Sequence, residues 1–183
     1  MKKLSQKDAL IHLEYCIRYG KEDIFYGVWE EAAVHYGEDR GFDPNVARKK
    51  GLRMYDIKKI GGAMLTQPGD ICYACISSKK VGFDEDFVKY IKEKLLSKNL
   101  NVEWIKNDLL IDGKKFLGDM KTTLPNGLFF YGGHISYTVN LPLIKEVCTK
   151  PMEKVPTGLA EYNISHEELE QWVKDFTLKK DLK

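Results

Sequence analysis

The 183-residue chain has no apolar run approaching about 18 residues, the length that a membrane-spanning helix needs. It also lacks a large excess of either positive or negative charge. Its 29 Lys and Arg against 27 Asp and Glu leave a net charge of +2, which gives no support to strong binding of a nucleic-acid backbone. The first eight residues have no apolar core of the kind that follows the lysines of a secretory signal. The sequence therefore predicts a cytoplasmic protein with no membrane or nucleic-acid partner.

Cysteine is scarce, at four residues, and only Cys72 and Cys75 are close enough in sequence to suggest a metal or redox pair. The surrounding run from Asp70 to Ile76 is typical of a strand. In a strand, thiols three positions apart face opposite sides, and no second pair completes a tetrahedral metal site. We expect two unjoined structural cysteines and no metal.

The composition is that of an ordinary globular protein, with 43% hydrophobic and 31% charged residues. A chain of this length buries about 70% of its unfolded surface and needs no disulfide or metal to fold. No repeat, linker or low-complexity segment interrupts it. Residues 1–183 are therefore predicted to form a single domain.

Capping residues mark the helices. Ser5 and Gly20 bound a first helix, and Asp43-Pro44 opens a short second one that Gly51 stops. Asp84 is expected to cap a helix over about 85–98. Pro142 opens a short segment, and Ser165 with Glu168 forms a capping box for the last helix.

Short strand-like runs fill residues 102–140, separated by the hairpin signals Asp112-Gly113 and Asn126-Gly127. Two further strands are predicted within 23–36, one at 52–58 and one at 70–77. The pattern predicts an α+β fold: one mixed, largely antiparallel sheet with helices packed on one face.

Four segments have residues suited to chemistry. Lys58-Lys59 precede the pair Gly61-Gly62, Lys115 follows a tight hairpin, Gly132-Gly133-His134 lie on a strand, and Cys148 follows a short helix. Glycines let backbone amides approach an anion, and lysines supply positive charge. Each segment also has an ordinary explanation: a turn with solvated lysines, an exposed hairpin, a bulge, or a small buried thiol.

Their order along the chain resembles one family, the superfamily of biotin and lipoate protein ligases and octanoyltransferases, over about residues 30–178. The run Lys58–Met64 resembles its Arg-Arg-x-x-Gly-Gly-Gly-Ala-Val signature. Asn107-Asp108 followed by Lys115-x-x-Gly118 resembles its Asn-Asp…Lys-x-x-Gly element, and Thr138–Leu141 resembles the Asn-Val-Asn strand. Cys148 lies where octanoyltransferases have their acyl-accepting cysteine.

The chain departs from the family pattern at several positions. Ile60 replaces the first glycine of the triplet, Thr66 stands where lipoyl enzymes usually have histidine, and no glycine follows Cys148. Asn107 lies one residue further from Trp104 than the biotin-ligase element would place it.

The resemblance implies a biotin/lipoate ligase-like fold and transfer of an octanoyl or lipoyl group to a lysine of a lipoyl carrier domain. Carriers of this class are the lipoyl domains of 2-oxoacid dehydrogenases and the glycine cleavage H protein, and acyl carrier protein is a further partner. The implied catalytic residues are Lys115, which would polarise the acyl carbonyl, and Cys148. The implied binding residues are Lys58, Lys59, Gly61, Gly62, Ala63, Asn107, Asp108, Gly118, Gly132, Gly133 and His134.

Two routes remain open. A transferase would form a thioester on Cys148, whose thiolate Lys114 or Lys115 would favour. A ligase would bind ATP, with Mg, over Lys58 and Lys59 and form an acyl-adenylate. A biotin-protein ligase and a non-catalytic member of the fold that holds a cofactor or carrier are the alternatives.

Overall fold

The computed structural model describes residues 1–37, 41–57 and 63–176. Within them the chain forms ten strands, five α-helices and one 3₁₀ turn at Leu159–Tyr162. The strands are β1 (Lys2–Leu4), β2 (Asp23–Val28), β3 (Ala33–Tyr36), β4 (Arg53–Asp56), β5 (Met64–Thr66), β6 (Ile71–Ser77), β7 (Val102–Ile105), β8 (Asp108–Ile111), β9 (Lys114–Thr123) and β10 (Phe129–Ile135). The helices are α1 (Gln6–Tyr19), α2 (Pro44–Lys49), α3 (Phe83–Leu96), α4 (Leu141–Val147) and α5 (His166–Asp175).

Seven strands form one sheet in the order β1-β2-β6-β10-β9-β8-β7, and three form a second sheet in the order β4-β3-β5. In the large sheet only the β1–β2 pair is parallel. The predicted α+β fold with a mixed, largely antiparallel sheet is confirmed, although a second, three-stranded sheet accompanies the large one. Among the described residues, no helix combines the length and the apolar character that crossing a membrane requires.

Helices cover both faces of the large sheet. On one face α3 and α5 pack over an extensive aromatic core that includes Phe83, Phe87 and Trp172. On the other face α1 packs over a smaller cluster around Phe25 and Phe130. The expectation that helices lie on one face therefore holds for α3 and α5 but not for α1. A sheet whose strands carry apolar residues at both parities, as in Ile71–Ser77, needs cover on both sides.

Helix ends follow the capping residues, with one exception. Ser5 and Ser165 accept hydrogen bonds from the main-chain N–H groups of Asp8 and Glu168, and Gly20 ends α1 in the left-handed conformation. Asp84, however, does not cap α3, which begins after Gly82 with no side-chain cap. Its carboxylate instead accepts a hydrogen bond from the Lys121 ammonium at 2.8 Å.

The last predicted strand also has different bounds. The strand-like runs were predicted to reach residue 140, but β10 continues through Gly132-Gly133 and ends at Ile135. The glycine pair does not interrupt pairing, because both glycines are in register with β6 and β9. Two neighbouring strands thus hold this segment at the centre of the sheet.

Candidate functional site

A cavity of about 630 Å³ lies on the α1 side of the large sheet. Its floor is formed by strands β6, β10 and β9, and its walls come from α1, β5, α4 and the segment from Pro151 to Pro156. A volume of this size lies within the usual range of small-molecule sites, about 300–1,000 Å³. A larger opening of about 1900 Å³ lies between α1 and β4, but its volume exceeds that range, so the smaller cavity is the principal candidate site among the described residues.

The floor consists of two rows of residues that run across the strands. In the first row, Phe25, Ala74, Gly132 and Met120 lie opposite one another in register, and Phe25 and Ala74 belong to the apolar cluster under α1. In the second row, Cys72, His134, Gly118 and Asp108 are opposite one another. Directly opposite residues share a sheet face. The site thus combines an apolar row with a polar one.

A β-bulge directs Lys115 into the polar row. Leu109 is opposite Leu117, whereas Leu110 is opposite Lys115, so Phe116 is an extra residue in β9. Side chains alternate along a regular strand, and a bulge shifts that alternation by one residue. The bulge therefore brings Lys115 to the same face as Gly118, three positions along the chain.

Gly118 leaves the space that the Lys115 ammonium occupies. The Lys115 Nζ atom is 2.8 Å from the position that a Cβ atom on residue 118 would take. The same ammonium lies 2.7 Å from Oδ1 of Asp108, and the Lys154 ammonium lies 2.6 Å from Oδ2 of that carboxylate. The Lys-x-x-Gly spacing thus has a direct structural reason, and Asp108 fixes the lysine.

The two lysines determine the charge of Asp108. Burial raises the pKa of this carboxyl group, but hydrogen bonds from Lys115 and Lys154 outweigh it and hold the pKa below its ordinary value. The Lys115 side chain is 40% exposed, so its ammonium remains open to a ligand in the cavity. The cluster can accordingly present one lysine donor to a carbonyl or phosphate oxygen.

Cys148 lines the same cavity, at the end of α4. Among the described residues, burial is the cause that raises the pKa of its thiol above the ordinary value. The ammonium of Lys115 is paired with Asp108, and neither Lys114 nor Lys115 is among the causes that shift the pKa of Cys148, so the described residues give no support to a lysine-favoured thiolate.

The structure brings together most of the predicted site residues that it describes. Lining the cavity are Lys115, Cys148, Ala63, Asp108, Gly118, Gly132, Gly133 and His134. Asn107 is not among the lining residues: it is exposed in the turn between β7 and β8, where its carbonyl accepts the Asp119 N–H. Lys58, Lys59, Gly61 and Gly62 lie outside the described residues, so their place in the site stays a prediction.

Some cavity residues were not predicted. Lys154 comes from a segment far along the chain, and Asp70 lies just before β6. Neither belongs to a motif of its own, although Lys154 precedes a Pro-Thr-Gly run. Cys72 and Cys75 are free thiols on opposite sides of β6. Cys75 packs in the α3-side core, and the Sγ atom of Cys72 accepts the Trp29 indole N–H.

Solved structures share this fold. LipL1 of P. falciparum, in complex with lipoate, superposes with a TM-score of 0.74 at 13% identity over 94% of this chain and 59% of that one. Lipoate-protein ligase A bound with ATP gives 0.74 at 17% identity over 94% and 80%. The chain has the biotin/lipoate ligase-like fold.

Two further structures extend the comparison. A bi-partite lipoate protein ligase from Thermoplasma acidophilum, described with its E2 lipoyl domain, gives a TM-score of 0.70 at 17% identity over 94% of this chain and 80% of that one. The biotin protein ligase of Aquifex aeolicus, with biotin and ATP, gives 0.52 at 13% over 94% and 65%. Neither a family model nor a curated protein matches the sequence. At these identities the likeness establishes the fold alone.

Proposed function

We propose that this protein attaches a lipoyl or octanoyl group to a lysine of a lipoyl carrier domain. The observation that carries the proposal is the polar row, in which Lys115, held by Asp108, stands beside an apolar floor in one cavity. Two solved structures with this fold are described with lipoate or with a lipoyl domain. The carriers of this chemistry are the lipoyl domains of 2-oxoacid dehydrogenases and the glycine cleavage H protein.

The apolar row fits an extended acyl chain. Ala74 and Gly132 are small and adjacent, Phe25 and Met120 flank them, and the Phe130 ring packs over Gly132 and adds to the apolar lining. Burying such a chain is worth about 0.8 kcal/mol for each CH₂ group removed from water. Residues of the site thus favour an aliphatic tail, with its carboxyl end at the polar row.

Lys115 would act on that carboxyl end. Its ammonium would donate a hydrogen bond to the acyl carbonyl and stabilise the oxyanion that develops when an amine attacks. By comparison with oxyanion-hole donors, removing it should raise the barrier by about 2.7–4 kcal/mol. Lys154 would keep Asp108 neutralised while Lys115 engages the substrate.

The acid would be activated by ATP as an acyl-adenylate rather than as a thioester on Cys148. The raised pKa of the Cys148 thiol supports this choice, because the thiolate is the nucleophile. ATP, with its Mg ion, is a substrate in this scheme. Lys58, Lys59, Gly61 and Gly62 are proposed to contact its phosphates, as glycine loops with lysines do.

The test is the intact mass of a lipoyl carrier domain after incubation with this protein and one acid at a time: lipoate, octanoate or biotin, each with and without ATP. We expect an ATP-dependent gain of one lipoyl or octanoyl group. Pyrophosphate exchange that depends on the acid would report the adenylate directly.

Cys148→Ala distinguishes the routes. The adenylate route predicts transfer within about threefold of the native rate, since the change affects packing alone. If Cys148→Ala loses transfer and the native protein carries an acyl adduct, the reaction proceeds through a thioester on Cys148 and not through the adenylate. If the carrier domain gains the mass of biotin alone, the substrate is biotin and not lipoate or octanoate. If the carrier gains no mass with any acid, the proposed function is wrong.

A further inference from the structure

His134 stands next to Lys115 in the polar row. His134 lies opposite Cys72 on β6 and opposite Gly118 on β9. The Lys115 ammonium lies over Gly118. Neighbouring strands are about 4.8 Å apart. His134 is therefore one strand away from Gly118, over which the ammonium that would hold the acyl carbonyl lies.

Asp70 holds the His134 ring from the other side. Oδ2 of Asp70 lies 2.7 Å from Nε2 of His134 and also accepts the Gln67 N–H at 2.8 Å. Oδ1 of Asp70 accepts the Tyr137 N–H at 2.7 Å. Asp70 is 1% exposed, so neither water nor rotation frees it from these contacts.

This contact determines which ring nitrogen can take a proton. A carboxylate that already accepts main-chain N–H groups acts as an acceptor, so the Nε2 atom of His134 carries hydrogen and donates it to Asp70. In the neutral ring, Nδ1 is then the basic atom. The His134 side chain is 13% exposed and lines the cavity, so this base is within the proposed site.

We propose that His134 is the general base that takes the proton from the carrier lysine as it attacks the acyl group, and that Asp70 is its positioning residue. The inference rests on the proposed function. The amine nitrogen forms a bond to the acyl carbon, and an N–H proton passes to Nδ1 of His134. The bond from the acyl carbon to the AMP oxygen breaks, and AMP leaves with its electron pair.

The other titratable groups that face His134 are unsuited to this role. Burial, followed by the charge of His134, lowers the pKa of His35 to about 3, so its ring is neutral but very weakly basic. Burial raises the pKa of the Cys72 thiol well above its ordinary value. Lys115 is engaged with Asp108, and both have the roles described above.

The experiment separates transfer from activation. Preformed lipoyl-adenylate is mixed with a lipoyl carrier domain and excess protein in a single turnover, and amide formation is followed by intact mass. Acid-dependent pyrophosphate exchange is measured in parallel. General-base catalysis contributes about 100-fold or more. His134→Gln should therefore slow amide formation by about that factor while pyrophosphate exchange changes little.

His12→Gln is the matched control. Nε2 of His12 also lies 2.7 Å from a carboxylate oxygen, that of Asp23, but His12 is not among the residues lining the cavity. It should leave both rates within about twofold of the native values. Added imidazole should partly restore amide formation to His134→Ala, which a structural role would not produce.

The pH dependence gives a second readout. The pH profile of native amide formation should contain a limb that the profile of His134→Gln lacks. Asp70→Asn should move the limb while retaining pyrophosphate exchange. Equal amide formation by native protein and His134→Gln, with the same pH profile, would overturn this inference and leave the proposed function intact. Native protein that neither exchanges pyrophosphate nor forms amide would overturn both.

Discussion

The two faces of the large sheet differ in the size and packing of the side chains that cover the same strands. On the α3 side, alternate residues are large and fully buried, as Tyr73 and Phe116 are, and aromatic rings from α3 and the chain after α5 interlock above them. On the α1 side, the central positions are Ala74, Gly118 and Gly132; the ends of Lys115 and Phe130 lie over the two glycines, and together these residues line a cavity. One face of the sheet is built for stability, and the other leaves room for a ligand.

This difference between the faces predicts that substitutions on the α3 side change stability and that substitutions on the α1 side change function. A change on the α3 side should lower the free energy of unfolding and reduce activity only through unfolding. A change on the α1 side should alter transfer or binding while the melting temperature stays almost constant. The following substitutions test this separation, in order of decreasing expected effect.

Ile91→Ala removes a fully buried side chain of α3 from the aromatic core. The loss of transfer free energy and the cavity left behind should lower the free energy of unfolding by about 2–5 kcal/mol. Urea denaturation measures it, and the transfer rate of the fraction that remains folded should equal the native rate. A folded variant with normal stability and impaired transfer would contradict the division.

Lys115→Ala should give the opposite result. Transfer to the carrier should fall by about 100- to 1,000-fold, which corresponds to about 2.7–4 kcal/mol of barrier. The unfolding free energy should change by less than about 1 kcal/mol, because the lost ion pair is partly exposed. Lys114→Ala is the control, since Lys114 is exposed on the neighbouring position of β9. Equal rates for Lys115→Ala and Lys114→Ala would show that the hairpin lysine is a surface group.

Gly118→Ala and Gly133→Ala compare the two faces of the sheet at glycines on adjacent strands, because a Cβ atom would project to the α1 side at residue 118 and to the α3 side at residue 133. A Cβ atom on residue 118 would meet the end of the flexible Lys115 side chain, so the chain should fold and the ammonium should move, lowering transfer about tenfold. A Cβ atom on residue 133 would meet the Tyr73 hydroxyl and, at 2.6 Å, the Gly118 carbonyl. Gly133→Ala should therefore lower stability, measured by thermal melting, more than Gly118→Ala does. The reverse order would contradict the register described here.

The smallest effect is expected at Asp119, whose strand position faces α3. Burial, with the charge of Asp84, raises the pKa of its carboxyl group to about 6. The folded state therefore binds this proton more tightly than the unfolded state, and its stabilising contribution is lost as pH rises through about 6. Asp119→Asn should raise the free energy of unfolding by about 1 kcal/mol at pH 8 and by almost nothing at pH 4. A gain of equal size at both pH values would exclude this explanation.

Local signals predicted local structure well. Ser5 and Gly20 bound α1 because capping depends on a few adjacent residues, and the hairpin at Asp112-Gly113 depends on its own two dihedral pairs. Long-range pairing was harder to predict. β1 has three residues and exists only because it pairs with β2, and β10 continues through Gly132-Gly133 because it has a partner on each side.

The site shows the same division. The Lys115-x-x-Gly118 spacing indicated a functional pair, although the bulge at Phe116 that explains it requires the register of β8. Lys154 and Asp70 were missed, because each joins the site through contacts across 46 and 64 residues of sequence, with Asp108 and His134. No local pattern specifies such a contact.

The most direct test of the central claim is a crystal structure of this protein with lipoate or octanoate and ATP. We expect the acyl chain on the α1 side, along Ala74 and the Phe130 ring that covers Gly132, with its carbonyl oxygen accepting a hydrogen bond from the Lys115 ammonium beside His134. An acyl chain bound elsewhere, such as in the groove between α1 and β4, with Lys115 still paired only with Asp108, would contradict it.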